Sequence, residues 1–453
     1  MFLRRFIAII VAKIAYWASV KLFKRQGVTW AGKLALDICP SILKDLSSQI
    51  RNDIFIVCGT NGKTTTNNLL ALGLEYEGYK IICNNTGSNM LNGVTAAFVL
   101  ASDFRGRIDC DYACIEVDEA STRRILPHFT PDYMVLTNLF RDQLDRYGEI
   151  DITMEILREV LNACPNMKLI VNGDDALCAY LAAAENNEMI TYGIPKQVGD
   201  SKEMNEIREG RFCKKCGAIL NYSFYHYSQL GDYRCSACDF KRPFLDFTAD
   251  EIESRDLDSG LSFYLREYPS HSGTTFSTGF RGLYNVYNIL AAYSAIRTSG
   301  VCPSNFQNML NSYKPNNGRM ETFQIGEAKV TLNLAKNPAG FNQNIQAVMQ
   351  DTKPKDIIIV INDNAQDGTD ISWLWDVDFD RLSEVNANNI ITSGIRYLDM
   401  GLRLKYVDIK AKPVREVRAA IDELLRAGST NLYVLVNYTA LYTTGQLLKA
   451  MTK

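Results

Sequence analysis

A chain of 453 residues is longer than one hydrophobic core comfortably serves, so two or three domains are expected. With 47% hydrophobic and 22% charged residues it has the balance of an ordinary globular protein, and 49 basic against 51 acidic side chains give no bulk attraction to a nucleic-acid polyanion. Twelve cysteines in so long a chain argue against a small disulfide scaffold: Cys39, Cys58, Cys83, Cys110, Cys114, Cys164, Cys178 and Cys302 are scattered mostly among apolar residues, like the reduced core thiols of a cytoplasmic protein, and only four cluster.

The first residues imitate a secretory signal, with Arg4 and Arg5 ahead of the run Phe6 to Val11. Lys13 interrupts that run early, no small-residue cleavage site follows, and no stretch reaches the roughly 20 residues of a membrane span. Leu3, Ile7, Ile10, Ile14 and Trp17 recur at helical spacing and predict a helix with one apolar face beside Arg4, Arg5 and Lys13. Such a helix either packs on the protein's own body or rests on a membrane surface, the inner face of the plasma membrane for a cytoplasmic protein.

From Asp53 onward short apolar runs alternate with helical patterns: Ile54 to Val57, a helix from Lys63, then Tyr112 to Val117, Tyr133 to Thr137 and Leu169 to Asn172. That alternation predicts an α/β fold with a parallel sheet flanked by helices. The first strand runs into Gly59, Thr60, Asn61, Gly62, Lys63, Thr64 and Thr65, a strand, glycine turn and helix start in the manner of a phosphate-binding loop. Two glycines let backbone amides converge on phosphate oxygens, Lys63 reaches the terminal phosphates and Thr64 ligates Mg²⁺. Val57 stands where the usual spacing has its first glycine, so the loop is a variant.

Phosphoryl transfer also needs a carboxylate for the metal, and Glu116, at the end of the Tyr112 run, is the best placed. Asp118 and Glu119 read as capping or surface charges. After the Tyr133 run comes Thr137 to Arg146, where Asn138, Asp142 and Asp145 are either site residues or a solvated helix face.

Residues Lys196 to Phe247 break the rhythm and read as an insert, its core at about 205–245. Cys213-Lys-Lys-Cys216 and Cys235-Ser-Ala-Cys238 are two knuckles 18 residues apart. Four thiolates at that spacing close a tetrahedron on Zn²⁺, leaving no open position, which makes the site structural. Tyr222, Phe224, Tyr225 and Tyr227 between them form a miniature core or a base-stacking platform. A helix over Asn285 to Thr298 follows, and Asn316-Asn-Gly-Arg319 marks the end of the central part. A second α/β pattern starts near Ala328, with strands at Ile357 to Ile361 and Leu432 to Val436 and a closing helix from Ala440. The expected division is a helical segment at 1–50, a nucleotide-binding domain at 51–325 and an α/β domain at 326–453.

Taken together, these motifs resemble the Mur ligase superfamily, whose members join amines to carboxylates through acyl phosphates, over nearly everything after residue 50. The resemblance implies a Mur ligase-like central P-loop domain and a Rossmann-like C-terminal domain. It implies that Gly59 to Thr65 bind ATP, with Lys63 and Glu116 catalytic and Thr64 and Glu116 on Mg²⁺. Asn138, Asp142 and Asp145 resemble the family's next polar motif, and Asn172-Gly-Asp-Asp175 a family turn. Asn285 matches an adenine-contacting asparagine and Arg319 a nucleotide-contacting arginine. There are departures. Gln143 stands where many members carry a metal-binding histidine, and Asn333-Leu-Ala-Lys-Asn-Pro338 lacks the aspartate that usually holds the ribose. The carbamylated lysine of several relatives has no evident counterpart.

Most of the family carries an N-terminal domain for a nucleotide-sugar substrate, for which about 50 residues are too few. That truncation, the four-cysteine ribbon and the run Asp363 to Asp376 resemble the branch that amidates the D-glutamate α-carboxyl of the lipid II stem peptide in peptidoglycan biosynthesis. The resemblance implies a heterodimer with a glutamine amidotransferase subunit (GatD-like) that supplies ammonia. Independent support comes from the histidines: His128, His226 and His271 are the only ones, none is in the C-terminal part, and the last cysteine is Cys302, so no self-contained Cys-His glutaminase is legible. Asp370 is the candidate to orient the partner's histidine, its other reading being a cap for a helix near Ser372, with Asp367 second. Two rival functions are a folylpolyglutamate synthase-like amino-acid ligase and a zinc-ribbon ATPase that binds nucleic acid.

Overall fold

A computed structural model of the chain describes residues 2–21, 27–85, 87–142, 149–198, 209–254, 260–314 and 320–452. Three helices open it, α1 (Phe2–Lys21), α2 (Val28–Ile38) and α3 (Ile42–Ser47). Next come β1 (Ile54–Cys58), α4 (Lys63–Tyr76), β2 (Ile81–Cys83), α5 (Leu91–Ala101), β3 (Tyr112–Glu116) and β4 (Tyr133–Leu136). β5 (Lys168–Asn172) and β6 (Met189–Gly193) complete a parallel set in the order β6-β5-β4-β1-β3-β2. These strands are apolar on both sides because both sides are covered. In β1, Ile54, Ile56 and Cys58 enter one core while Phe55 and Val57 enter the other. α1, α2, α3 and α5 contribute to the first core; α4 and the helix Leu283–Thr298 contribute to the second.

The connection after β1 runs to β2 at one edge while that after its neighbour β4 runs the other way to β5, and the crevice beyond the C-terminal ends of such a pair is where such folds bind ligands. The sequence runs locate β1, β3, β4 and β5 to within a residue or two. They gave no sign of β2, of β6 or of the three further strands Phe247–Ser254, Leu261–Glu267 and Gly273–Thr278, which extend the sheet to nine. Between β6 and these strands the chain makes β7 (Leu220–Tyr227) and β8 (Leu230–Cys235), an antiparallel hairpin apart from the main sheet.

A second sheet of six strands follows, over Glu321–Ile325, Ala328–Leu334, Lys355–Val360, Ala387–Ser393, Lys412–Pro413 and Asn431–Val436. All pairs but the first are parallel. Its central strand Lys355–Val360 is buried throughout, as a strand covered on both faces must be.

The N-terminal helix exists and packs on the protein's own body, through a face other than the one its spacing advertises. Ala8, Ile9 and Ala12 lie against α2 and α5, the two alanines small enough for close helix approach, while Leu3, Ile7, Ile14 and Trp17 point outward. α2 and α5 cross almost backbone to backbone: a Cβ at Gly32 would lie 1.7 Å from the Asn92 carbonyl oxygen. Among the described residues no helix is long and apolar enough to cross a membrane.

Candidate active site

The glycine turn after β1 is locked by the segment after β4. Asn61 N–H donates to Asn138 Oδ1 at 2.8 Å, Asn138 Nδ2 donates to the Asn61 carbonyl at 3.0 Å, and Thr137 Oγ1 to the same carbonyl at 2.7 Å. Gly59 and Gly62 adopt φ of +127° and +85°, and a Cβ at either would lie 2.2 Å from Thr137 Oγ1 or Asn288 Oδ1, so only glycine fits. The turn opens α4, whose first residue is Lys63.

Lys63 is buried, its Nζ donating to the Gly59 carbonyl and, at 2.9 Å, to Glu119 Oε1. Burial works against the ammonium, yet the carboxylates of Glu119, Asp118 and Glu116 outweigh it and hold the Lys63 pKa above its ordinary value. Burial pushes the Glu119 pKa up, with Lys63 opposing it. Glu119 also accepts the Gly59 N–H at 2.6 Å. It is therefore no surface charge, as its sequence context suggested, but the buried counter-ion of the loop lysine. Its one signal in the sequence is its place three residues beyond the strand that ends at Glu116, which does not set it apart from Asp118.

Thr64 Oγ1 donates to Glu116 Oε2 at 2.6 Å and Asn89 Nδ2 to Glu116 Oε1 at 2.8 Å. Asn84 brackets the Glu116 backbone, accepting its N–H and donating to its carbonyl, both at 2.8 Å. Asn84 and Asn89 thus hold Glu116 by its backbone and its carboxylate, with Gly87 beside Thr64 and Glu116. Two Mg²⁺ ligands in adjacent octahedral positions lie about 2.9 Å apart, close to the Thr64–Glu116 separation, so this donor pair fits a hard divalent cation.

The C-terminal sheet contributes to the same crevice. Asn61 and Asn337 exchange amide hydrogen bonds at 3.3 and 3.1 Å, and Lys336 forms an ion pair with Asp142. Asn337 also caps the helix Pro338–Gln350, accepting the Gly340 N–H at 2.8 Å. Asn333 is spent within its own domain, on Met320 and Asn344. Asn285 sits in the first turn of Leu283–Thr298, bonded to the Arg281 carbonyl and to Asn288, and it is Asn288 that meets Gly62. Thr60 and Thr65 are buried with the loop. Arg319, Gln143 and Asp145 lie outside the described residues.

The sulfurs of Cys213, Cys216, Cys235 and Cys238 all lie within 4.8 Å of one another, with Cys213–Cys238 at 3.7 Å and Cys216–Cys235 at 3.4 Å. A tetrahedron with 2.3 Å metal–sulfur bonds has edges of about 3.8 Å, so the cluster has the dimensions of a zinc knuckle pair. Ala237 N–H points at Cys235 Sγ, the backbone pattern that favours a thiolate. The hairpin reaches the support of the glycine turn: Gln229, at its own turn, donates to the Leu139 carbonyl at 2.8 Å and to Asp175 at 3.0 Å. Burial pushes the Asp175 pKa up to about 6. The ribbon tyrosines form a local cluster, Tyr222 stacking on Tyr225 with ring centroids 4.2 Å apart.

Asp370 is partly exposed on the turn after Lys355–Val360, and both its oxygens are engaged by Ser372, at 2.8 Å from N–H and 2.9 Å from Oγ. These bonds hold its pKa below the ordinary value. Asp367 is buried and tied to Thr439, which fixes the turn on the last helix. Across the crevice Arg141 pairs with Asp376 at 3.4 Å.

Residues 57–296 match the Mur ligase middle domain, and residues 334–441 match the MurT ligase C-terminal domain. The chain is 37% identical over 442 residues to the lipid II isoglutaminyl synthase (glutamine-hydrolyzing) subunit MurT of Staphylococcus aureus (strain COL), covering 97% of this chain and 96% of that one. The subunit of the same name from Streptococcus pneumoniae (strain ATCC BAA-255 / R6) is 31% identical, over 93% of this chain and 92% of the relative. In fold, the chain is similar to a pseudomurein peptide ligase type C from Methanothermus fervidus, with a TM-score of 0.69 at 22% identity over 90% of this chain and 80% of that one. MurF from Acinetobacter baumannii gives 0.66 at 19% identity, over 93% and 81%.

Proposed function

Because the chain belongs to the Mur ligase family, in its MurT branch, we propose that it is the ATP-dependent ligase subunit of a lipid II isoglutaminyl synthase. The reaction is amidation of the D-glutamate α-carboxyl of the stem peptide. A carboxylate oxygen attacks the γ-phosphorus of ATP, the bond to the ADP oxygen breaks, and ammonia then displaces phosphate from the acyl carbon. The observation that carries this reading is the buried set of Lys63, Thr64 and Glu116 at the C-terminal end of β1, in a chain so similar to MurT subunits.

Within that set, the loop amides and Lys63 hold the terminal phosphates. To do so the Lys63 ammonium exchanges its Glu119 and Gly59 partners for phosphate oxygens, and Glu119 keeps it protonated until then. Thr64 and Glu116 would hold Mg²⁺, which neutralises the charge that develops on the phosphates. Asn285 and Arg319 are assigned to the nucleotide's base and phosphates. The four cysteines are assigned to a structural Zn²⁺ that shapes the hairpin bracing Leu139.

Ammonia comes from a glutamine amidotransferase partner, GatD-like, in a heterodimer. Asp370 is assigned to that partner's histidine as a positioning residue, its carboxylate kept ionised by Ser372. The lipid-linked substrate places the work at a membrane surface.

Lys63→Met tests the reading: ATP-dependent amidation of lipid II is lost with ammonium and with glutamine alike. Near-normal ammonium-driven activity in that variant overturns the assignment of the loop.

A further inference from the structure

We propose that His226, Tyr287 and Asp174 form a buried relay that holds one proton and positions the ATP loop through Asn288, the residue after Tyr287. The three side chains come from separate elements: His226 from β7 of the ribbon hairpin, Tyr287 from the helix Leu283–Thr298, and Asp174 from the turn after β5. His226 Nδ1 and Tyr287 Oη lie 2.6 Å apart, Tyr287 Oη and Asp174 Oδ2 lie 2.7 Å apart, and His226 Nε2 is 3.0 Å from the Lys196 carbonyl oxygen. The side chains of His226 and Asp174 are fully buried, and Tyr287 is buried with them.

These contacts fix the number of protons. A carbonyl oxygen only accepts, so His226 Nε2 carries a hydrogen. The tyrosine hydroxyl has one hydrogen and two partners. If it donates to Asp174, then Nδ1 donates to it and the ring is an imidazolium; if it donates to Nδ1, then Asp174 donates to it and is a carboxylic acid. Either way the trio holds one proton more than a carboxylate, a phenol and a neutral imidazole would. Without that proton two lone pairs face each other in a buried site, which is costly. Burial raises the Asp174 pKa and lowers that of His226, which places the proton on Asp174.

The groups around the relay leave that count intact. Arg242 faces the other Asp174 oxygen at 3.2 Å and works against the proton, but it shares its charge with Asp232, also at 3.2 Å. Tyr192, Tyr227 and Tyr233 are kept neutral by burial, and Asp175 spends its oxygens on Leu139, Leu177 and Gln229.

The relay ends at the glycine turn. Tyr287 fixes the rotation of its helix, and Asn288 Oδ1 then sits so close to Gly62 that a Cβ there would meet it at 2.2 Å. Thr66 Oγ1, in α4, donates to the same Asn288 oxygen at 3.4 Å. A helix released at Tyr287 therefore withdraws a wall against which the turn is folded. His226 and Tyr287 are positioning residues that act through Asn288. This role rests on the ATP reading of the loop, whereas the proton count does not.

The test compares the full chain with His226→Gln, or with Tyr287→Phe should the first misfold, from about pH 6 to about pH 9. Melting is followed without ATP, and ATP affinity is measured with Mg²⁺, so that failure of the relay and failure of the ATP reading are separate results. The folded relay keeps a proton that an unfolded aspartate, with its ordinary value of 3.8, releases. Its stabilisation is thus present at low pH and lost as pH rises through the raised folded value. At the acidic end the variant should melt below the wild type and bind ATP about 3- to 10-fold more weakly, the effect of a lost buried hydrogen bond. Toward the alkaline end, where the wild-type relay has given up its proton, the melting gap should close and the affinities should agree within about twofold. A gap that stays constant with pH marks a merely structural side chain and overturns the proposal, as does the absence of any melting gap. A melting gap that closes with pH while ATP affinity never differs overturns the positioning role.

Discussion

Replacing Lys63 by methionine strands a charge, and the size of the effect follows from the structure. Lys63 and Glu119 meet at 2.9 Å with both side chains buried, and without the ammonium the Glu119 carboxylate keeps only backbone donors such as the Gly59 N–H. Breaking a buried pair by removing one partner costs about 3–5 kcal/mol. For a domain of this size that lowers the melting temperature by about 6–20 °C. The double variant Lys63→Met/Glu119→Gln removes the stranded charge and should recover most of the loss.

The pH dependence has a definite sign. Burial already raises the Glu119 pKa above its ordinary 4.5, and losing Lys63 raises it further. Folded Lys63→Met therefore holds a proton that the unfolded chain releases, so its stability falls as pH rises from the unfolded value and levels off above the raised folded one. Melting curves at mildly acidic and mildly alkaline pH, for the wild type and both variants, check this. A single variant that melts with the wild type at both pH values, or a double variant no better than the single, refutes the reasoning.

Two further outcomes are expected. Protein purified without chelator should contain one zinc per chain by elemental analysis, and Cys216→Ser should lower soluble yield and melting temperature more than turnover per folded molecule; a zinc-free wild type contradicts the ribbon assignment. Asp370→Asn in the reconstituted heterodimer should reduce glutamine-driven amidation by up to about 10⁴-fold while ammonium-driven amidation survives, because the partner's histidine loses its tautomer-fixing acceptor. Joint loss of both activities, or unaffected glutamine use, removes the cross-subunit role.

The buried strands were legible because covering on both faces leaves near-continuous apolar runs such as Ile54 to Cys58 and Ile357 to Val360. The glycine turn was legible because its geometry tolerates no other residue at Gly59 and Gly62. Glu119 was not, since a charge beyond a strand end reads as solvated until a buried lysine is seen to face it. Nor was Asn288, which lies one helical turn past the expected Asn285 and abuts the loop only through tertiary packing. α1 misdirects in another way. Leu3, Ile7, Ile14 and Trp17 mark the face that stays outside, whereas Ile9, off that stripe, makes the contact with Ala8 and Ala12, which are too small to register in a hydrophobic pattern. The antiparallel strands Leu261–Glu267 and Gly273–Thr278 sit toward the edge of the sheet and mix polar with apolar residues, which hides them from a search for buried runs.

The central claim, an ATP-driven ligase acting on a lipid-linked carboxylate, meets its most direct test in mass spectrometry of lipid II incubated with this chain, ATP, Mg²⁺ and ammonium. The account predicts the mass change of one carboxyl converted to a primary amide, located to D-glutamate by fragmentation, dependent on ATP and absent with Lys63→Met. Unmodified lipid II under conditions where the wild-type chain is folded and binds ATP, or an added amino acid in place of the amide, would contradict it.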